Sequence, residues 1–213
     1  MNNLDSLIIV SLFWALYGFA HSLLANNRVK HLLITKGLIA GKNYRLYYCI
    51  LALALLLPYP VLTHFLPSEP LWHWPVFLDP FLKGLSIFAI LIFLWTFRYY
   101  NLLEFLGIYP ESVREHFTLS PIHRFVRHPW YGCALILIWS RDLDNISLVS
   151  ALCLTLYILI GYRFEEKRLI SEFGEAYSIY KAKVPALFPL PWKHLSVNTA
   201  AQIQELMINP PNK

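Results

Sequence analysis

Three apolar runs, Leu4 to Ala25, Tyr44 to Leu66 and Leu78 to Tyr100, each match the roughly 20 residues that a helix needs to cross a bilayer. A soluble core has no use for segments of this kind. The composition agrees, with 57% hydrophobic residues, only 15% charged residues and a mean hydropathy of +0.46, so lipid must meet the surplus apolar surface. The expected fold class is all-α, a polytopic membrane helix bundle of about five transmembrane helices, with a C-terminal helical hairpin and a cytoplasmic juxtamembrane helix.

The hairpin is read from the last third of the chain. An apolar run after Pro129 reaches only Ser140, polar residues 141–145 intervene, and a second run extends from Ile146 to Phe164; the first arm is therefore short or tilted. Orientation comes from the connections. Arg28, Lys30, Lys36, Lys42 and Arg45 follow the first run, Arg98, Arg114, Arg124 and Arg127 follow the third, and Arg163, Lys167, Arg168, Lys181, Lys183 and Lys193 follow the last. The alternate connections are poor in basic residues. The positive-inside rule then expects the N-terminus outside and the C-terminus in the cytoplasm.

That distribution also explains the formal net charge of +5 without nucleic acid. Cys49, Cys133 and Cys153 sit singly in apolar stretches, which suits core filling rather than a disulfide framework or a thiolate metal site. His116, His123 and His128 lack the close spacing of histidine metal clusters, so no metal is expected. His21 beside Ser22 reads as a hydrogen-bonding bridge between helices. The chain divides into a three-span region over residues 1–117, a hairpin and ligand-binding segment over 118–194, and a tail over 195–213. The tail carries a short amphipathic stretch (Ile203, Leu206, Met207) that reads as surface-associated or frayed. Oligomeric state is not encoded in any pattern visible here.

Two stretches carry groups suited to chemistry. In Arg127-His128-Pro129-Trp130-Tyr131-Gly132, His128 precedes a proline and is pushed out of helical geometry, whereas Pro129 is favoured at a first helical position. A helix start beside a guanidinium and an imidazole makes an anion site. An ordinary interfacial helix start, with Arg127 meeting lipid phosphate, uses the same residues. In the second stretch, Glu166, Leu169, Phe173, Tyr177 and Tyr180 recur at helical spacing beside Glu165, placing a carboxylate and three rings on one helix face. Such a face suits an onium cation, and equally an amphipathic helix lying on the bilayer. An anion site and an onium site together suit a zwitterion with carboxylate, ammonium and sulfonium groups, as in S-adenosylmethionine.

The combination of Arg127-His128-Pro129-x-Tyr131, a hairpin, Glu165-Glu166-x-x-Leu169, Phe173-Gly174-x-x-Tyr177-x-x-Tyr180 and Val184-Pro185-x-x-x-Pro189 resembles the isoprenylcysteine carboxyl methyltransferase superfamily of membrane methyltransferases. The likeness covers roughly residues 118–192. Gly18-x-x-His21-Ser22 and Tyr44-Arg45-x-Tyr47 resemble its bacterial branch, which includes methanethiol enzymes and membrane proteins associated with nitric oxide metabolism. The resemblance implies S-adenosylmethionine as cofactor, with its methionine portion held by Arg127, His128 and Tyr131, its pocket completed by one or both of Glu165 and Glu166, and its adenosine covered by the tail at Pro185 and Pro189; the ring face of Phe173, Tyr177 and Tyr180 is the expected sulfonium side. It implies catalytic roles for Arg127, Glu166 and Arg163. Gly132 directly follows Tyr131, where many relatives place a glycine one residue later.

The implied reaction is methyl transfer to the thiol or carboxylate of a small or lipophilic acceptor, with membrane lipids as the other partner. Two other readings stay open. A non-enzymatic membrane protein of nitrogen-oxide metabolism fits the same branch, and an NADPH-dependent membrane sterol or enone reductase shares the hairpin, although its Asn-Pro-Arg signature is absent from this sequence.

Overall fold

The computed structural model describes residues 2–109 and 119–209; Arg114 and His116 lie outside the described residues. Helix accounts for 75% and strand for 4%, so the all-α expectation holds. In chain order the elements are α1 (Asn3–Ala25), α2 (Asn27–Thr35), α3 (Tyr44–Leu56), α4 (Pro58–Phe65), β1 (Pro70–Trp72), α5 (Asp79–Thr96), α6 (Leu102–Phe105), α7 (Pro129–Trp139), β2 (Leu143–Asp144), α8 (Asn145–Lys183) and α9 (Val197–Ile208). Four helical runs among the described residues are long and apolar enough to cross a membrane: Asn3–Ala25, Gly41–Phe65, Val76–Tyr99 and Asn145–Lys183. The fifth expected span is the 11-residue α7, which rises only about 16 Å against a hydrocarbon core of about 30 Å. The integral membrane character stands, with four long helices and one short arm.

Local sequence explains the element ends. Asn2 caps α1 in a capping box with Asp5. Pro58 and Pro60 lack N–H groups, which interrupts the ladder between α3 and α4 while Leu57 keeps helical angles. The 39 residues of α8 form two helical stretches that meet at Gly174. Its apolar part ends at Phe164, and the remainder, with Glu165, Glu166, Lys167 and Arg168 at its head, extends beyond the span. Gly174 breaks the helical angles within that polar part (φ 60°, ψ −130°), in a backbone region that favours glycine.

The described residues pack as two compact units. One holds residues 2–74, 101–109 and 142–157. Its apolar centre is Val10, Leu66 and Ile146, flanked by Trp14, Tyr59 and Val149. Polar bridges between helices add to it. Tyr59 meets Ser150 at 2.7 Å, and His21 lies 2.6 Å from both the Tyr48 and the Tyr157 hydroxyls, the bridging role expected for it. Strands β1 and β2 pair antiparallel, and Asp142 accepts from the Trp74 N–H at 3.0 Å.

The second unit holds residues 75–100, 119–141 and 158–209. The Trp130 indole N–H donates to the buried Thr96 hydroxyl at 2.6 Å, tying α7 to α5, and Ser86 and Ser140 meet at 2.6 Å. In its core, Leu169, Tyr177, Tyr180, Val184 and Leu195 pack with Ala200, Ile203 and Met207 of α9. The expectation of a surface-associated or frayed tail is therefore corrected: α9 is capped by Ser196 and buries one apolar stripe, with only Leu206 of the three named residues left exposed.

Candidate functional site

The second unit brings the beginning of α7, the polar part of α8 and the segment after Lys183 to one place. His128 has non-helical angles (φ −124°, ψ 69°), in keeping with the exclusion of a pre-proline residue from the α region. That leaves its N–H and the N–H of Arg127 pointing out of the helix, where they donate to the carbonyls of Ala186 (2.8 Å) and Pro185 (2.9 Å). Gly132 makes the pairing possible, because a Cβ there would collide with the Leu187 carbonyl. A close backbone approach thus occurs directly after Tyr131, and the chain's own tail uses it.

Arg127 and Glu166 form the centre. The guanidinium gives Nε to Glu166 Oε1 at 2.7 Å and Nη2 to the same oxygen at 2.6 Å, while Nη1 donates to the carbonyls of Lys181 and Val184. His128 Nε2 lies 3.1 Å from Glu166 Oε1, and Lys181 Nζ lies 3.0 Å from Oε2. Burial by itself pushes the Glu166 carboxyl up. Hydrogen bonds from His128, Lys181 and Arg127 outweigh it and hold the group down at about 2. An ionised carboxylate only accepts, so His128 carries its proton on Nε2 and turns Nδ1 toward Glu165, 3.7 Å away.

Glu165 differs from its neighbour. Its side chain is 36% exposed against 2% for Glu166, and it accepts from the Tyr131 hydroxyl at 3.0 Å. Around it the His128 ring stacks on Tyr131 and tilts against Tyr162, both at 5.5 Å between centroids. Arg127 and Lys181 balance Glu165 and Glu166, so with neutral imidazole the cluster has no net charge.

Of the residues singled out from sequence, Arg127, His128, Tyr131, Glu165, Glu166 and the Pro185 carbonyl meet here. Tyr177 and Tyr180 lie beyond the break at Gly174, so they do not continue one helix face with Glu166, and they are buried in the core with Phe173 packed beside them. Tyr177 hydrogen-bonds Arg127, and the Tyr180 hydroxyl donates to the His123 carbonyl at 2.8 Å. The three rings therefore support the cluster from beneath. Arg163 is exposed, with its guanidinium 6.0 Å from the Tyr162 ring centroid, and it is not among the groups meeting at Glu166. Arg127 likewise is not a spare cation for an outside anion, because Glu166 already neutralises it. Sequence reasoning passed over Tyr162 and Lys181. The spacing of Tyr162 from Glu165 and Glu166 was a usable signal; no periodicity marked Lys181.

A sulfonium-bearing cofactor asks for an accessible negative group among ring faces. Glu165 with Tyr131, His128 and Tyr162 meets that requirement, so the residues present fit the cationic part of such a molecule.

Fold and cluster together define an α-helical integral membrane protein with a buried, internally balanced Arg–Glu–His–Lys centre outside its apolar spans. In particular, the chain is a relative of methanethiol S-methyltransferases. It is 28% identical over 191 residues to that of Pseudomonas sp. (strain GM41(2012)), covering 86% of this chain and 74% of the relative. To methanethiol S-methyltransferase 1 of Bradyrhizobium diazoefficiens it is 28% identical over 210 residues, 89% of this chain and 68% of the relative. A shorter stretch of 80 residues, 37% of this chain and 30% of the relative, is 42% identical to the Pseudomonas deceptionensis protein. These similarities are consistent with the isoprenylcysteine carboxyl methyltransferase-like membrane family. No protein-family model matches the chain, and no solved structure matches it.

Proposed function

We propose that this chain is an S-adenosylmethionine-dependent methyltransferase of the bacterial inner membrane that acts on a small thiol. The printed names of its relatives support methyl transfer to a thiol. The observation that carries the reading is the meeting of Arg127, His128 and Tyr131 with Glu165 and Glu166 in one cluster. When bound, S-adenosylmethionine supplies an electrophilic methyl group on a sulfonium centre. The chain's own residues then have separable tasks.

Glu165 balances the positive charge of the donor, and the Tyr131 hydroxyl fixes the carboxylate that does so. The rings of Tyr131 and Tyr162 offer faces to an onium group. Arg127, Glu166 and Lys181 hold the three segments together and keep His128 in one tautomer. A thiol reacts as its thiolate. In this reading His128 Nδ1 takes the thiol proton, and the resulting imidazolium lies between the carboxylates of Glu165 and Glu166. Alignment and exclusion of water supply most of the rate. The N-terminus faces outside and the C-terminus the cytoplasm, so a charged donor arrives from the aqueous side and an apolar acceptor from the bilayer.

The test uses the purified protein in detergent with tritiated methyl donor, offered methanethiol, longer thiols and carboxylic acids. Label is expected in the methyl thioether, identified by mass spectrometry. Absence of both donor binding and transfer to any thiol would overturn the proposal.

A further inference from the structure

We propose that the connection from Asn26 to Arg45 is a docking surface for anionic phospholipid headgroups. Between Asp5 and Glu69 the chain has no acidic residue, yet Arg28, Lys30, Lys36, Lys42 and Arg45 all fall there, matching the net +5 of the entire chain. Structure keeps this charge on the surface. Helix α2 is short, capped by Asn26, and Gly37 turns the chain beyond it with φ 70°. Arg28, Lys30, Lys36 and Lys42 are exposed, and among the described residues none of the four has an acidic partner. Lys30 lies 5.7 Å from the Tyr44 ring centroid.

Apolar groups lie among these cations. Leu32 is 50% and Leu38 68% exposed, a pattern that serves a bilayer interface, where acyl chains take the leucines and phosphates the cations. The contrast with the second unit is informative. Residues 165–183 set Glu165, Glu166, Glu172 and Glu175 against Lys167, Arg168, Lys181 and Lys183, so that segment has no net charge to offer a phosphate-rich surface. Charge complementarity therefore selects the α2 connection.

The experiment incubates detergent-purified protein with an equimolar mixture of phosphatidylcholine and phosphatidylglycerol and counts retained lipids by native mass spectrometry. Phosphatidylglycerol is expected to be retained in preference, with the preference falling about fivefold for each cation removed in R28Q/K36Q/K42Q. The variant K167Q/R168Q keeps it. Excess sn-glycerol 3-phosphate leaves retention unchanged; competition by it would show a site for free phosphate and overturn the lipid assignment. An unchanged preference in the triple variant also overturns it. Should that variant lose its helical circular dichroism, the wild-type protein is read between about 0.1 and 1 M salt, where an insensitive preference is the refuting result.

Discussion

Arg127 Nη2 lies 2.6 Å from Glu166 Oε1, with the two side chains 8% and 2% exposed, so each is the principal counter-charge of the other. A buried pair of this kind is costly to break singly, because the survivor keeps its charge without its partner. Arg127→Ala and Glu166→Ala are each expected to destabilise the protein by about 3–5 kcal/mol and to lower its melting temperature in detergent. Replacing both by apolar residues of similar volume is expected to cost less than either single change. A double variant as unstable as the sum of the singles would show that the two side chains act independently.

Glu165→Gln separates binding from folding. The side chain is partly exposed and held by Tyr131, so its loss of charge should change stability by less than about 1 kcal/mol. Affinity for the sulfonium donor should fall roughly tenfold or more, and affinity for the neutral thioether product much less. Calorimetry with both ligands provides the check; equal losses would remove Glu165 as the onium partner.

His123 gives a pH signature. Burial, reinforced by the neighbouring His128, lowers its pKa to about 4, while Ser120 Oγ at 2.8 Å and the Tyr100 hydroxyl at 3.4 Å accommodate the neutral ring. The unfolded chain takes up a proton near 6.5 and the folded chain only near 4. Stability from this group is thus complete above pH 6.5 and declines by about 3 kcal/mol as pH falls to 4. Glu166, held at about 2, contributes in a lower window, with its stabilisation lost from about pH 4.5 downward. Melting temperatures across pH 7 to 4 should fall in the wild type and flatten in His123→Gln; parallel curves would assign the effect elsewhere.

Gly132→Ala tests the backbone pairing that closes the site. The added methyl meets the Leu187 carbonyl, and displacing that carbonyl breaks the bonds from Arg127 and His128 to Pro185 and Ala186. The expected cost is about 1–3 kcal/mol, with donor binding lost. Gly161→Ala, where the new methyl has nothing within 4 Å, should be neutral or slightly stabilising. Comparable damage from both substitutions would count against the specific contact.

Much of this was legible from residue patterns. Apolar length identified the spans, and Pro129 marked the start of α7 because its ring suits a first helical turn. Glu166 and Leu169 before the Gly174 break and Tyr177 and Tyr180 after it all proved to be buried, although helical spacing does not carry across that break. What those residues meet was not legible. Helical period says which residues point the same way, not that α9 will cover Tyr177 and Tyr180, nor that the chain beyond Lys183 will run back along His128. The role of Lys181 depends on that return path, and so does the neutralisation of Arg127. The β1–β2 pair is too short for any alternation to announce it.

The carbonyls of Lys181, Val184, Pro185 and Ala186 all take hydrogen bonds from Arg127 or His128, so the order of synthesis governs when the centre can exist. While a ribosome is still adding residues before Lys181, the guanidinium and Glu166 have already been made, but the carbonyls that take the remaining guanidinium and backbone donors have not. Competence to bind a charged donor therefore arises only once residues 181–186 have emerged. A nascent chain stalled before that point would be inserted but inert.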